Sequence, residues 1–161
     1  MSFKVGDTVV HRAYGPGTIT GMEEKTLSGE AQLYYVVQIK DMTLWVPVEE
    51  NGDGGSLRVP TPAVEYQKLF DILKSDGRPL STDRLERKNQ LQGNMRSGSL
   101  EGICRVIRDL NTVNRVKKLN ENDSALFQRA QTLLLSEWSI SLSVPLPVAE
   151  HELNSLLGVA E

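Results

Sequence analysis

The chain has 161 residues, of which 39% are hydrophobic, and a formal net charge of −3. This length can bury one good core or two small ones. Its apolar runs are shorter than the ~18 residues that a membrane span needs, and its first residues lack the apolar core of a signal peptide, so we expect a cytoplasmic protein without a membrane partner.

The sequence does not indicate a metal site, a cofactor or catalysis. Cys104, the single cysteine, lies among apolar neighbours at helical spacing and is expected to be a buried structural thiol. The histidines, His11 and His151, are far apart and match no metal-binding spacing. No nucleophile–base pair, phosphate loop or carboxylate pair stands in its required context. We therefore expect no enzyme, no cofactor and no small-molecule substrate.

The first part of the chain alternates apolar and polar residues in short runs separated by glycine-bearing turns, as small antiparallel strands do. Strands are predicted at 3–10, 18–22, 31–39, 42–48 and, beyond an acidic loop at 49–56, 57–59; residues 23–27 either continue the second strand or pair with it. The side chains expected to face inward are Val5, Val9, Ile19, Met22, Leu33, Tyr35, Val37, Ile39, Leu44, Val46 and Val48. They suffice to fill one small antiparallel β-barrel of the Tudor/SH3-like kind, in which closure removes exposed edges.

One strand of this barrel is expected at an edge. Pro47 lies in the run 42–48 and has no N–H to donate to a ladder, so this strand should lie at an edge or leave the sheet. An exposed edge can accept a strand from a partner protein, with backbone hydrogen bonds giving affinity and side chains giving selectivity. This part of the chain is therefore interpreted as a binding module.

The pattern changes near Pro60. Beyond it, apolar residues recur at helical spacing, which favours segregated β and α parts. The prediction is an α+β chain with a β-barrel domain over 1–60 and an all-α helical bundle over 61–161.

Helix boundaries follow from capping residues. Thr61 should cap the first helix with Pro62 at its first position, and Gly77 should end it in the left-handed conformation. A second helix is predicted over about 84–96. Its cap is one of three candidates, Ser81, Thr82 and Asp83.

The later helices carry clearer apolar stripes. Ser99 should cap the third helix and Asn120 the fourth, whose buried side includes Trp138. Residues 139–144 alternate with period two, so a strand and a frayed helix both fit. A final helix is predicted from about residue 148.

Charge is unevenly distributed along the chain. Residues 84–118 carry nine Lys/Arg against three Asp/Glu, whereas the segments on both sides are acidic. A basic block in an acidic chain is typical of a localised polyanion-binding surface, and the acidic flanks oppose nonspecific adhesion. A solvated helix face without a partner explains the charge equally well.

The helix predicted at 84–96 is polar almost all round, so it either has a role beyond core packing or is only marginally stable. Its cations suit DNA phosphates, which position a protein without reading sequence. The candidate DNA-binding residues are Arg84, Arg87, Lys88, Arg96 and, on the third helix, Arg105. Arg105 could instead pair with Glu101, four residues before it, and Arg108 could orient Asp109.

A series of short motifs runs through nearly the whole chain. They are Gly6-Asp7, Val9-Val10, Gly15-Pro16-Gly17, Ser28-Gly29-Glu30, Leu33–Val37, Leu44–Val48, Ser97-Gly98-Ser99 and Val106–Leu110. Their order and spacing resemble the CarD/CdnL family of bacterial transcription regulators.

This resemblance implies that the barrel is an RNA polymerase interaction domain, which docks on the polymerase β subunit by strand pairing. Lys25 stands where relatives carry a basic residue that faces polymerase, and Trp45 where they carry arginine or an aromatic residue. Trp45 could be an interface anchor or could cap the barrel core. The dipeptide His11-Arg12 replaces a Tyr-Pro common in the family.

For the helical half, the resemblance implies contact with promoter DNA. Relatives carry a tryptophan at the start of the second helix, which wedges into the minor groove at the upstream edge of the promoter bubble. Arg84 stands at this position, or Asp83 if the alignment shifts by one, and neither can unstack a base step as an indole does. Arg84 could still enter a narrow minor groove, where the negative potential is focused.

The function favoured by these observations is a nonenzymatic transcription regulator that binds the RNA polymerase β subunit and the promoter DNA backbone. The alternative is a polymerase- or repair-complex adaptor, similar to the barrel of transcription–repair coupling factors, whose basic helices do not touch DNA.

Overall fold

The computed structural model describes residues 2–27, 29–48 and 55–158 and divides the chain into two compact units, Met1–Pro60 and Thr61–Glu161. The first unit contains a β-sheet, and the second contains helices, so the α+β class is confirmed. Ser28 and most of the predicted acidic loop at 49–56 lie outside the described residues.

The sheet has five strands within the described residues, in the order β4-β3-β2-β1-β5, and every neighbouring pair is antiparallel. The strands are β1 (Thr8–His11), β2 (Gly15–Leu27), β3 (Glu30–Ile39), β4 (Met42–Pro47) and β5 (Leu57–Arg58). In the part of the chain described, no ladder joins β4 to β5. The sheet is open there, and a closed Tudor-like barrel remains a prediction.

The first strand begins later than predicted because a turn precedes it. Asp7 accepts a hydrogen bond from the N–H of Lys4 at 2.8 Å, and Gly6 adopts a φ of 96°. Glycine tolerates this left-handed geometry, which side chains disfavour. The chain therefore enters the ladder at Thr8.

Most of the predicted inward residues are buried, and three are not. Val5, Met22 and Leu33 are exposed by 60%, 42% and 42%. Val5 lies in the turn before β1. Leu33 and Met22 share a face with the buried Tyr35. Leu33 lies before the residues of β3 that pair with β4 (34–39), and Met22 lies beyond the residues of β2 that pair with β1 (15–18). The ribbon of β2 and β3 extends past the covered area, so these two side chains lie beyond the core.

The second unit contains a short 3-10 helix (Ala63–Glu65) and then α1 (Tyr66–Lys74), α2 (Arg84–Arg96), α3 (Leu100–Val116), α4 (Glu121–Ser141) and α5 (Leu146–Leu157). The caps predicted for three of these helices are confirmed. The side chains of Asp83, Ser99 and Asn120 each accept a hydrogen bond from the backbone N–H three residues later. None of the helices in the described residues combines the length and apolar character that a membrane crossing requires.

The first helix ends at Lys74, just before the predicted stop at 75–77, but the capping roles predicted for Thr61, Pro62 and Gly77 are wrong. Thr61 does not cap it; its N–H donates to Glu137 Oε2 at 2.7 Å, and Pro62 precedes the 3-10 helix. Gly77 is not left-handed. A Cβ on Gly77 would lie 2.4 Å from Thr112 Oγ1, so glycine is needed here for close approach to α3.

The core of the helical unit confirms the predicted stripes. Trp138 is fully buried, and its ring lies 4.9 Å from that of Phe70. The ambiguous segment 139–144 is helical as far as Ser141, and α5 begins two residues before its predicted start. Cys104 is buried as expected, and burial raises the pKa of its thiol to about 12.

Candidate functional site

The two residues predicted to face polymerase meet on one face of the sheet. Trp45 lies opposite Val36 in the ladder of β3 and β4, whereas its neighbours Leu44 and Val46 pack with the buried cluster. The Lys25 Nζ atom lies 4.0 Å from the centre of the Trp45 ring. This distance is within the range of a cation–π interaction.

The Trp45 side chain is held in place and remains accessible. Its Nε1–H donates to Glu23 Oε2 at 2.9 Å, and the side chain is 43% exposed. It points away from the buried cluster, so the alternative that it caps the core does not agree with its position. An indole fixed by one cation and one carboxylate loses little conformational freedom when a partner covers it.

The backbone beside Trp45 is also available. A two-residue connection joins Ile39 to Met42, so these two residues form a hydrogen-bonded pair. Hydrogen-bonded and non-hydrogen-bonded pairs alternate along an antiparallel ladder, so Trp45 and Pro47 belong to non-hydrogen-bonded pairs. Their backbone N–H and C=O groups therefore point away from β3. Within the described residues, β4 has no neighbour on that side. Pro47 is tolerated at this edge because its missing N–H would point outward.

His11, in the dipeptide that departs from the family pattern, has a local role. Its Nδ1 accepts a hydrogen bond from the N–H of Ala13 at 3.0 Å, and its ring lies 5.0 Å from that of Tyr14. Partial burial, and then the charge of Arg12, lower the pKa of His11, which favours the neutral ring.

A groove of about 900 Å³ separates α2 from the first turns of α4. It is lined by Arg84, Leu85, Arg87, Lys88, Leu91, Gln92, Asn120, Glu121, Asn122, Asp123, Ala125, Leu126 and Arg129. Arg84 and Lys88 are exposed and make no ion pair or hydrogen bond through their side chains within the described residues. Leu91 is the only buried residue of α2, so this helix contributes little to the core.

Arg87 lines the same groove, but it is already engaged. Its Nη2 donates to Asp123 Oδ2, and the two side chains are only 22% and 10% exposed. Asp123 also lies in the first turn of α4, where its own N–H is bound by Asn120. A phosphate could reach Arg87 only by competing with this ion pair, which was not foreseen from the sequence.

The other two predicted DNA-binding residues lie outside the set that lines the groove. Arg96 is the last residue of α2 and is exposed. Arg105 pairs with Glu101 at 3.6 Å, as the alternative interpretation anticipated. The hydrogen bond from Lys68, at 2.9 Å, and the charge of Arg105 lower the pKa of Glu101.

Two further cations of the basic block stabilise the fold. Arg108 is buried, and its Nε lies 3.0 Å from Asp109 Oδ1, which also accepts the N–H of Arg78 at 2.8 Å. The structural role considered for Arg108 is therefore observed. Arg115 donates to the carbonyl oxygen of Leu157, at the end of α5.

Comparison with known proteins relates both units to one family. Residues 3–64 match the model described as "CarD-like/TRCF RID domain", and residues 68–154 match the model described as "CarD, C-terminal domain". The chain belongs to the CarD family. This CarD-family chain is also 26% identical over 144 residues to "Putative transcription factor YdeB" of Bacillus subtilis (strain 168), across 86% of the chain and 91% of the relative.

The family match gives a general function to the first unit of this CarD-family chain. The RID domain interacts with RNA polymerase, and the family is one of transcription factors that are not typically enzymes. The start of α2 is the place where a tryptophan was expected from the family resemblance. Asp83 is used as the helix cap, Arg84 is the first helical residue, and the next residue, Leu85, is 67% exposed.

Proposed function

We propose that this CarD-family protein regulates transcription initiation by binding the β subunit of RNA polymerase through its sheet unit and the promoter DNA backbone through its helical unit. Its membership of a family of transcription factors supports the proposal. In this proposal the sheet closes into a Tudor-like barrel, and the protein acts in the cytoplasm beside polymerase.

The polymerase half of the proposal rests on Trp45. This residue offers an exposed indole beside Lys25 and lies on β4, whose outer backbone groups are unpaired within the described residues. A partner strand added to β4 would gain backbone hydrogen bonds and cover the indole in one step. Large aromatic residues with a polar N–H are common anchors of protein interfaces.

The DNA half rests on Arg84 and Lys88. They lie one turn apart on a helix with a single buried residue, and they bind no carboxylate within the described residues. A cation that stabilises no internal contact remains available for a phosphate. Two such contacts are weak alone, but they become effective when polymerase supplies a high local concentration of promoter DNA.

The adaptor function is retained as the second candidate because of a specific observation. Arg87 and Arg105, two of the five candidate cations, bind carboxylates of the same unit. If the remaining cations are simply solvated, the helical unit has no nucleic-acid role.

The test uses the full chain, purified RNA polymerase and a promoter fragment. Trp45→Ala should reduce association with polymerase by at least about 30-fold, the effect of losing an interface anchor worth about 2 kcal/mol. Leu33→Ala is the matched control, because Leu33 is equally exposed but lies on the other face of the sheet. Equal binding by both variants would contradict the polymerase half.

A second variant separates the two candidate functions. Arg84→Glu with Lys88→Glu should abolish the effect on promoter complexes and leave polymerase association unchanged. Arg87 is kept, since its removal would leave the buried Asp123 without its partner. Promoter complexes that respond normally to the double variant would favour the adaptor.

A further inference from the structure

We propose that Lys117 and Lys118, in the connection between α3 and α4, form a second phosphate-binding position that acts together with Arg84 and Lys88. The inference rests on the DNA contact proposed above and identifies residues that complete it. Lys117 and Lys118 belong to the basic block 84–118 but were not among the five DNA-binding residues predicted from the sequence.

The first observation is how the basic block uses its charges. Four of its nine cations, Arg87, Arg105, Arg108 and Arg115, bind Asp123, Glu101, Asp109 and the carbonyl oxygen of Leu157. Lys117 and Lys118 are exposed, and their side chains, like those of Arg84 and Lys88, make no ion pair or hydrogen bond within the described residues. The block therefore presents two separate pairs of available cations.

The second observation is that the connection is held at both ends. Lys117 ends α3 with an extended backbone, and its N–H donates to the carbonyl oxygen of Val113 at 2.9 Å. Leu119 packs against the hydrophobic core, and Asn120 caps α4. The two lysines are thus displayed on an anchored backbone, which reduces the entropy lost when a phosphate orders them.

The third observation is the position of this connection beside the groove. Asn120 lines the α4 side of the groove, whereas Arg84 and Lys88 line the α2 side. Lys118 precedes Asn120 by two residues, so their Cα atoms are at most about 7.6 Å apart. Lys118 therefore lies close to the α4 side of the groove, and Arg84 and Lys88 lie on its α2 side.

The interior of the groove explains why phosphates would occupy its two sides. Glu121 and Asp123 line the α4 wall, and Asp123 already holds Arg87. Carboxylates repel phosphates, so the groove itself is a poor site for the DNA backbone. Cations on the two sides can contact two phosphates of one duplex, and this duplex then spans the acidic wall without contacting it.

A purely local role for the two lysines makes a different prediction. Cations near a helix C-terminus stabilise the helix dipole, here that of α3. That role would change the stability of the protein, but it would not change the number of counterions released when DNA binds.

The test measures binding of the full chain to a short fluorescein-labelled duplex at several salt concentrations. Lys117→Gln with Lys118→Gln should reduce the slope of log K against log salt by about 0.9 per lysine, and affinity by about eightfold per lysine at about 0.1 M salt. The matched control is Lys68→Gln with Lys74→Gln, which removes the same charge from α1 of the same unit. The control should retain the wild-type slope.

A second variant, Arg84→Gln with Lys88→Gln, distinguishes failure of this inference from failure of the proposed DNA contact. A wild-type slope for the Lys117/Lys118 variant, with a reduced slope for the Arg84/Lys88 variant, would overturn this inference and leave the proposed function standing. Wild-type protein without salt-dependent binding to the duplex would instead overturn the proposed DNA contact. An equal reduction of the slope in the Lys68/Lys74 variant would show that the net charge of the protein, and not the position of the lysines, sets the slope. That result would also overturn the inference.

Discussion

Helices α2 and α3 belong to the same basic block but use their cations in different ways. Ten of the 17 residues of α3 are buried, against one of 13 in α2. Arg105 and Arg108 on α3 bind carboxylates on the same helix, whereas Arg84 and Lys88 on α2 are exposed without a partner among the described residues. The comparison indicates that a helix with little core to build is the better place to look for cations that bind a partner.

The strongest test of this difference is removal of the carboxylate that holds Arg108. Asp109→Ala leaves a buried guanidinium and the N–H of Arg78 without their acceptor. Breaking a buried pair in this way costs about 3–5 kcal/mol, so the free energy of unfolding should fall by about that amount. Urea denaturation measures it. A loss below about 1 kcal/mol would show that the cations of α3 are not structural.

Arg87 is intermediate, because it lies on α2 but is paired internally. Arg87→Gln should destabilise the fold by about 1–3 kcal/mol, since the buried Asp123 loses a charged partner. Asp123→Asn tests the same pair from the other side, and it should also free Arg87 and increase DNA affinity. If Arg87→Gln instead weakens DNA binding without changing stability, then Arg87 belongs with Arg84 and Lys88.

The exposed cations of α2 should show the opposite behaviour. Arg84→Gln with Lys88→Gln should leave the free energy of unfolding within about 0.5 kcal/mol of wild type, as is usual for surface substitutions. The same variant should reduce the slope of log K against log salt for duplex binding by about 1.8. Urea denaturation and fluorescence anisotropy measure the two effects. An unchanged slope would remove the contrast between the helices.

The smallest effect is expected at Arg105. Its ion pair with Glu101 is partly exposed and joins residues four apart on one helix, a geometry worth about 0.3–0.5 kcal/mol. Arg105→Gln should therefore change stability by no more than that and should not change DNA binding. A clear loss of DNA affinity would restore Arg105 to the phosphate-binding set.

Local sequence patterns predicted much of this fold. The capping residues Asp83, Ser99 and Asn120 act within three residues of their targets, so their roles could be read from neighbouring positions. The pairing of Arg105 with Glu101 was foreseen as an alternative for the same reason. Such contacts depend on helix geometry alone.

Features that depend on tertiary packing could not be predicted. Arg87 and Asp123 are 36 residues apart, and no local pattern brings them together. Position 77 requires glycine because Thr112 of α3 leaves no room for a Cβ atom. Met22 and Leu33 follow the strand period, but their exposure depends on how far β1 extends along β2 and how far β4 extends along β3.

The most direct test of the central claim is a footprint of RNA polymerase on a promoter with no added protein, with the wild-type chain and with Arg84→Glu/Lys88→Glu. The wild-type chain should change the protection of the DNA backbone, and the double variant should bind polymerase without making that change. A footprint that responds equally to both proteins would contradict the claim that the exposed cations of α2 contact promoter DNA.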